Sequence, residues 1–359
     1  MNASDPRDLC VIAPFPSVAN SKDGMIQRIA HIDGLVSDLP RTYLDLSLTR
    51  HWRGNTRTDG LATIHCLNVF VHFFRILAIL RAARLVYVHS AHNALRLIPF
   101  PTRATVVFDA HGIVPEEMLA EGRRGIARVM ATAERFALRR CDVLVCVTRS
   151  MLAHFQRKHG NAKGREEIVL PILPHFGEAS TAQTALAARR RADAVIYAGG
   201  MQSWQNVDKM IAAAKRQPRL DYTFLTGDLE RFSTRLKAAN VQRFRCESVA
   251  PVQVKDYYLD HQFGFVLREP DLVNAVACPT KLVEYLYWGV LPIVITPRIG
   301  DFDETSLRGV TLQDFESGTL PDADTAAQMR QHNQNSVLAL IASAQTYQAT
   351  LRDRLHGRP

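Results

Sequence analysis

The run from Phe263 to Val290, FGFVLREPDLVNAVACPTKLVEYLYWGV, constrains the fold more than any other part of the chain. Phe263 to Leu267 is short and wholly apolar, the pattern of a strand buried on both faces. Arg268-Glu269 ends it, and Pro270, Asp271 and Asn274 mark a loop. A helix is expected from Thr280, read as its N-cap, with Leu282, Tyr285, Leu286 and Trp288 at the apolar positions. Gly289 stops it, and Leu291 to Ile295 is the next strand. Strand, loop, helix and strand make a βαβ crossover, which requires a parallel sheet. Such sheets bind ligands beyond the carboxyl ends of their strands, where a helix amino end offers free N–H groups to an anion. Lys281 falls in the first helical turn and Glu284 one turn on, projecting from the same side. A lysine there opposes the helix dipole, a cost that an anionic ligand would offset. A surface lysine paired with Glu284 is the other reading of these two residues.

The alternation recurs along the chain. Leu9–Ala13, Tyr43–Ser47, Leu85–His89, Thr105–Ala110, Asp142–Val147 and Ile168–Leu173 read as strands, and Met25–Leu35, Gly125–Arg140 and Ser150–His159 as helices. A second series begins at Ala194–Ala198 and continues through Tyr222–Thr226, Gln242–Glu247 and Phe263–Leu267. The expected class is α/β with two doubly wound parallel sheets. The expected division is a first domain over 1–176, a linker over 177–193 and a second domain over 194–322. A terminal helix within 323–359 is expected to return to the first domain. Arg50–Gly60 reads as a polar, basic connection. Leu61–Ala83 reads as a helix packed on the sheet, since His72, Arg75 and Arg81 interrupt any membrane span. Part of it lying against a bilayer surface is the second reading.

With 359 residues, two full cores can form. The net charge of +9 raises three prospects: nucleic acid, anionic lipid and phosphorylated substrates. Nucleic acid is set aside, because no basic patch is interleaved with aromatics and no known module occurs. Arg123-Arg124, Arg139-Arg140 and Arg189 to Arg191 read as solvated helix faces. The six cysteines are scattered without a C-x-x-C pair, as expected of buried thiols in a reducing cytoplasm. Met1 to Asp8 has no signal-peptide pattern, so the expected location is cytoplasmic, with a peripheral place at the inner face of the membrane.

Two further stretches carry chemistry. VVFDAHGIVPEE, Val106 to Glu117, is a strand running into His111-Gly112, which sets an imidazole at the carboxyl end of a parallel sheet. There it can donate to a ligand hydroxyl or a phosphate oxygen; a structural histidine is the alternative. Glu116 and Glu117 either orient a ligand or His111, or favour a helix amino end. VIYAGGMQSWQNVD, Val195 to Asp208, runs a strand into Gly199-Gly200, where backbone N–H groups can approach a phosphate. Trp204 could stack on a ring or plug an edge. Asp301-Phe302-Asp303 falls among loop residues and reads as a solvated turn, so no metal is expected.

P-x-K-x-x-E-Y-L-x-x-G, as Pro279, Lys281, Glu284, Tyr285, Leu286 and Gly289 stand, resembles the donor site of GT-B glycosyltransferases. Within them it is most similar to retaining family 4 enzymes of bacterial polysaccharide assembly, and the D-x-H-G stretch agrees. The resemblance implies two Rossmann-like domains facing across a cleft. It also implies ribose hydroxyls held by Glu284, a diphosphate held by Lys281, and His111 reaching the donor from the opposite wall. Gly199, Gly200 and Thr280 would join the donor site. Two departures stand out. The phosphate loop has Met201, Gln202 and Gln205 where the family carries an arginine and a lysine, so Arg268 must supply charge. The family's first glutamate is Val276 here, leaving Asn274 or Glu269 to hold the sugar. The implied activity is transfer of a sugar from a nucleotide-diphosphate donor to a hydroxyl of a surface glycan or lipid-linked acceptor, with no cofactor. A nucleotide-sugar 2-epimerase and a non-catalytic partner subunit of the same fold are the alternatives.

Overall fold

A computed structural model of the chain describes residues 9–17, 24–174 and 190–357. Two compact units emerge: Met1–Pro171 with Ala344–Pro359, and Ile172–Ser343. The expected linker, 177–193, lies outside the described residues up to position 189, and a strand already begins at Arg191.

Among the described residues the first unit holds eight strands: β1 (Leu9–Ile12), β2 (Arg41–Ser47), β3 (Asn55–Asp59), β4 (Ala62–Asn68), β5 (Leu85–His89), β6 (Thr105–Ala110), β7 (Val143–Cys146) and β8 (Glu166–Val169). Their order is β3-β4-β2-β1-β5-β6-β7-β8, parallel except for β3. The second holds β9 (Arg191–Ala198), β10 (Asp221–Leu225), β11 (Phe244–Glu247), β12 (His261–Val266), β13 (Leu291–Val294) and β14 (Val310–Thr311), in the order β11-β10-β9-β12-β13-β14, all parallel. Strands such as β1, β7 and β12 are buried along their whole length, which explains their unbroken apolar sequence. In each sheet the winding reverses once, between β1 and β5 and between β9 and β12. These switch points are where a doubly wound sheet opens a crevice at its carboxyl edge.

Leu61–Ala83 is not one helix. Ala62–Asn68 pairs with β2 over seven residues, and only Phe73–Ala82 is helical. The period of two was present, with Ala62 and Ile64 buried and Thr63 and His65 half-buried, but total apolarity masked it. The basic connection before it supplies β3, turned into β4 through Gly60 at φ +54°. Thr280 is not an N-cap: its helix spans Thr280–Trp288, with Pro279 capping and no side-chain cap bond. Nor are all the arginine clusters solvated. Arg190 donates to the carbonyls of Tyr258, His261 and Trp288, tying three segments of the second unit together.

The last helix, Ala323–Leu355, starts in the second unit and ends in the first, where Arg354 lies 2.8 Å from Glu166. Among the described residues no helix is long and apolar enough to cross a membrane.

Packing in the second unit turns on Gly264 in β12. A Cβ there would run into the Tyr285 ring, whose hydroxyl donates to the Ile196 carbonyl at 3.3 Å. Gly264→Ala should therefore cost about 1–3 kcal/mol by overpacking. Urea unfolding reads this as a lower midpoint at unchanged slope, and an unmoved midpoint would contradict the packing described.

Candidate active site

In the second unit the site grows from the β9–β12 switch point. β9 ends at Ala198 and leads to Gly199-Gly200; β12 ends at Val266 and leads to Arg268. The helix after β12 brings Lys281 and Glu284 back to the same edge. Lys281 Nζ sits 3.9 Å above the Tyr197 ring centre and donates to Gln205 Oε1 at 3.1 Å. A Cβ on Gly199 would come 2.7 Å from that Nζ, so the glycine is what lets the amine rest on the loop. The Tyr197 hydroxyl donates to the Gly200 carbonyl at 2.6 Å and fixes the turn.

Burial, then the nearby Arg268, hold the Lys281 ammonium well below the usual lysine range, against the pull of Glu284. Burial raises the Glu284 carboxyl, while the Tyr258 hydroxyl, donating at 2.9 Å, and Lys281 draw it back. Arg268 donates to Asn274 Oδ1 at 3.4 Å, and burial lowers it too. Two half-buried basic groups thus share one corner with one carboxyl. That arrangement suits an anion carrying more than one charge.

Asn274 is itself buried. Its amide donates to the Glu269 carbonyl and to Asp271 Oδ2, both at 3.1 Å, so it steadies Arg268 from behind. Glu269 turns outward to Lys209 at 2.5 Å. Val276, at the position of the family's first glutamate, is buried apolar core. Thr280 opens the helix and Trp204 stands exposed in a 3-10 turn. Sequence reasoning missed Gln205 as the partner of Lys281 and Tyr258 as the partner of Glu284. Tyr258 had no motif to announce it, and Gln205 stood in the glycine loop only as a departure from the family pattern.

In the first unit β6 delivers Asp109 and His111 to the carboxyl edge. Asp109 is fully buried and takes two bonds from Arg28, at 3.0 and 3.1 Å, and one from the Tyr87 hydroxyl at 3.0 Å. His89 Nδ1 lies 3.0 Å from His111 Nε2, and both rings stand within 3.5 Å of Asp109 Oδ2. Arg28 holds the Asp109 carboxyl well below its usual range despite burial, and burial pushes the His89 imidazole down to about 4. His111 is thereby fixed at Nε2, while its Nδ1 is buried and has no hydrogen-bond partner among the described residues. His89, Asp109 and His111 could group around a metal ion, as could Asp45, His51 and Cys66. A cation at the first set would have to compete with Arg28 for Asp109. Asp303 Oδ1 accepts from the Thr305 and Ser306 backbone N–H groups, the geometry of a surface turn.

Glu116 and Glu117 part company. Glu116 is held by Lys158 at 2.6 Å, whereas Glu117 folds over Gly112, where a Cβ would strike its carboxylate. Burial and then the charges of Glu121 and Glu116 raise Glu117 from 4.5 to about 7. The folded chain therefore keeps a proton that the unfolded chain has already lost, and stability falls as pH rises from 4.5 to about 7. Glu117→Gln removes that loss. The variant should exceed the native chain in thermal stability at about pH 8 and lose its advantage toward about pH 5. An advantage of equal size at both pH values would contradict the shift.

No protein-family model matches the sequence, and no curated protein does. Solved structures do. The chain is similar to sucrose-phosphate synthase from Thermosynechococcus elongatus, with a TM-score of 0.67 and 13% identity, covering 98% of this chain and 99% of that one. It is similar to a UDP-forming α,α-trehalose-phosphate synthase from Burkholderia vietnamiensis, with a TM-score of 0.60 and 12% identity over 98% and 99%. Anabaena HepE in complex with UDP-glucose gives a TM-score of 0.62 and 12% identity over 96% and 99%. At these identities the likeness is one of architecture, and the architecture is the GT-B fold.

Proposed function

We propose that the protein is a metal-independent glycosyltransferase of the retaining family 4 kind. It would move a sugar from a nucleotide-diphosphate donor to a hydroxyl of a glycan or lipid-linked acceptor, working peripherally at a membrane. One observation carries the reading: Lys281, Arg268 and Glu284 converge on the carboxyl edge at the β9–β12 switch point. The two cations take the diphosphate, with the amino end of the Thr280 helix behind them, and Glu284 accepts from the ribose hydroxyls. Gln205, in place of a second loop cation, orients Lys281 instead of adding charge. Uridine is the first base to test, because HepE is described in complex with UDP-glucose and with UDP and glucose.

In the reaction the acceptor oxygen bonds to the anomeric carbon as the bond from that carbon to the diphosphate oxygen breaks. The acceptor proton passes to the departing phosphate on the same face, so no second carboxylate is needed. His111, braced by His89 and Asp109, is assigned to the transferred sugar, with Glu116 and Glu117 on the acceptor side. The surface turn at Asp303 supports a reaction without a D-x-D metal site.

Glu284→Ala should weaken UDP binding by at least about tenfold. His111→Ala should leave UDP affinity within about threefold while lowering turnover by about 100-fold. Calorimetry with UDP and a donor–acceptor screen read by mass spectrometry measure these. Unchanged UDP affinity in Glu284→Ala would contradict the donor site.

A further inference from the structure

Five large apolar side chains stand out of one edge of the first unit: Leu48, Trp52, Phe70, Val71 and Phe74. Phe74 is 83% exposed, Phe70 67% and Trp52 57%, well beyond what scattered surface residues show. They come from two loops and the start of the Phe73–Ala82 helix, and the protein binds the loops together. The buried Asn68 side chain donates to the carbonyls of Leu48, at 3.3 Å, and Arg50, at 3.0 Å. Its oxygen accepts from the backbone N–H groups of Phe70, at 3.0 Å, and Val71, at 3.3 Å. One amide therefore sets both apolar loops. Gly54, at φ +66°, closes the second contact, since a Cβ there would come 2.7 Å from His72 Nε2.

The same loops are basic. Arg50, Arg53, Arg57 and Arg75 are exposed in or beside them. Aromatic tips among arginines match the water–lipid interface, where rings enter the headgroup layer and guanidinium groups meet phosphates. The position matters as much as the composition. β2 and β4 end at Ser47 and Asn68 on the carboxyl edge, the edge on which β6 presents His111. Four strand steps separate β4 from β6, which is about 19 Å at the usual spacing of about 4.8 Å.

We propose that this patch docks the protein on a bilayer carrying anionic phospholipid, and that the acceptor is accordingly lipid-carried. The second clause rests on the glycosyl-transfer reading; the first does not. Docking in this orientation keeps a headgroup-borne hydroxyl within reach of the edge that holds His111, so the acceptor need not leave the membrane.

The test is flotation of the full chain with vesicles of phosphatidylcholine alone or mixed with phosphatidylglycerol. The native chain should bind the mixed vesicles and leave the neutral ones, and salt should weaken binding. Phe70→Ser with Phe74→Ser, and separately Arg50→Glu with Arg53→Glu, should each reduce binding by at least about tenfold, with UDP affinity unchanged. No binding by the native chain, or binding by both variants as strong as the native chain's, would overturn the proposal. So would a sedimenting dimer that the phenylalanine variant abolishes, since the patch would then cover a second copy. Vesicle binding alongside failed UDP binding would leave the docking intact and sink the transferase reading alone.

Discussion

A lysine amine and an arginine guanidinium, both half-buried at one sheet edge, set the terms for the second unit. Removing one charge from water is costly, and placing a second of the same sign beside it adds to the cost. Glu284 relieves part of it, and the Tyr197 face and Gln205 relieve a little more. The fold holds the arrangement because each element is fixed elsewhere. Gly264 lets Tyr285 seat the helix on β12, Gly199 opens room for the amine, and Asn274 braces Arg268. A protein under no pressure to bind an anion there could replace Lys281 with leucine and gain stability. The strain is what a polyanion would relieve on arrival.

The first unit solves the opposite problem. A buried carboxylate, Asp109, is made safe by a bidentate arginine and a tyrosine hydroxyl, and its remaining reach steadies two histidines. His111 gains a defined orientation from this. The logic is that of a supporting shell, in which buried neighbours hold one imidazole in place.

Much of this was legible in the residues themselves. Runs buried on both faces, such as VLVC and FGFV, announced parallel strands because no solvent face dilutes them. The glycine after Trp288 announced a helix end because it stands at φ +74°. Lys281, Glu284 and His111 could be placed because loop-to-helix junctions after strands define the carboxyl edge. Where reading failed, long-range pairing decided. Ala62–Asn68 is as apolar as a helix would be, and only its seven-residue pairing with β2 makes it a strand. Arg190 looks like surface charge until three distant carbonyls converge on it. Asn68, the amide that sets two loops, is one polar residue in an apolar run. Tertiary contacts of that kind leave no local trace.

The central claim is that the second unit recognises a diphosphate through Lys281, and one calorimetric comparison tests it most directly: UDP against uridine, on the native chain and on Lys281→Met. The native chain should prefer UDP by at least about tenfold, or about 1.4 kcal/mol, and the methionine variant, left with Arg268 and the helix amino end, should show a clearly smaller preference. A preference for UDP that survives the substitution undiminished would contradict the account.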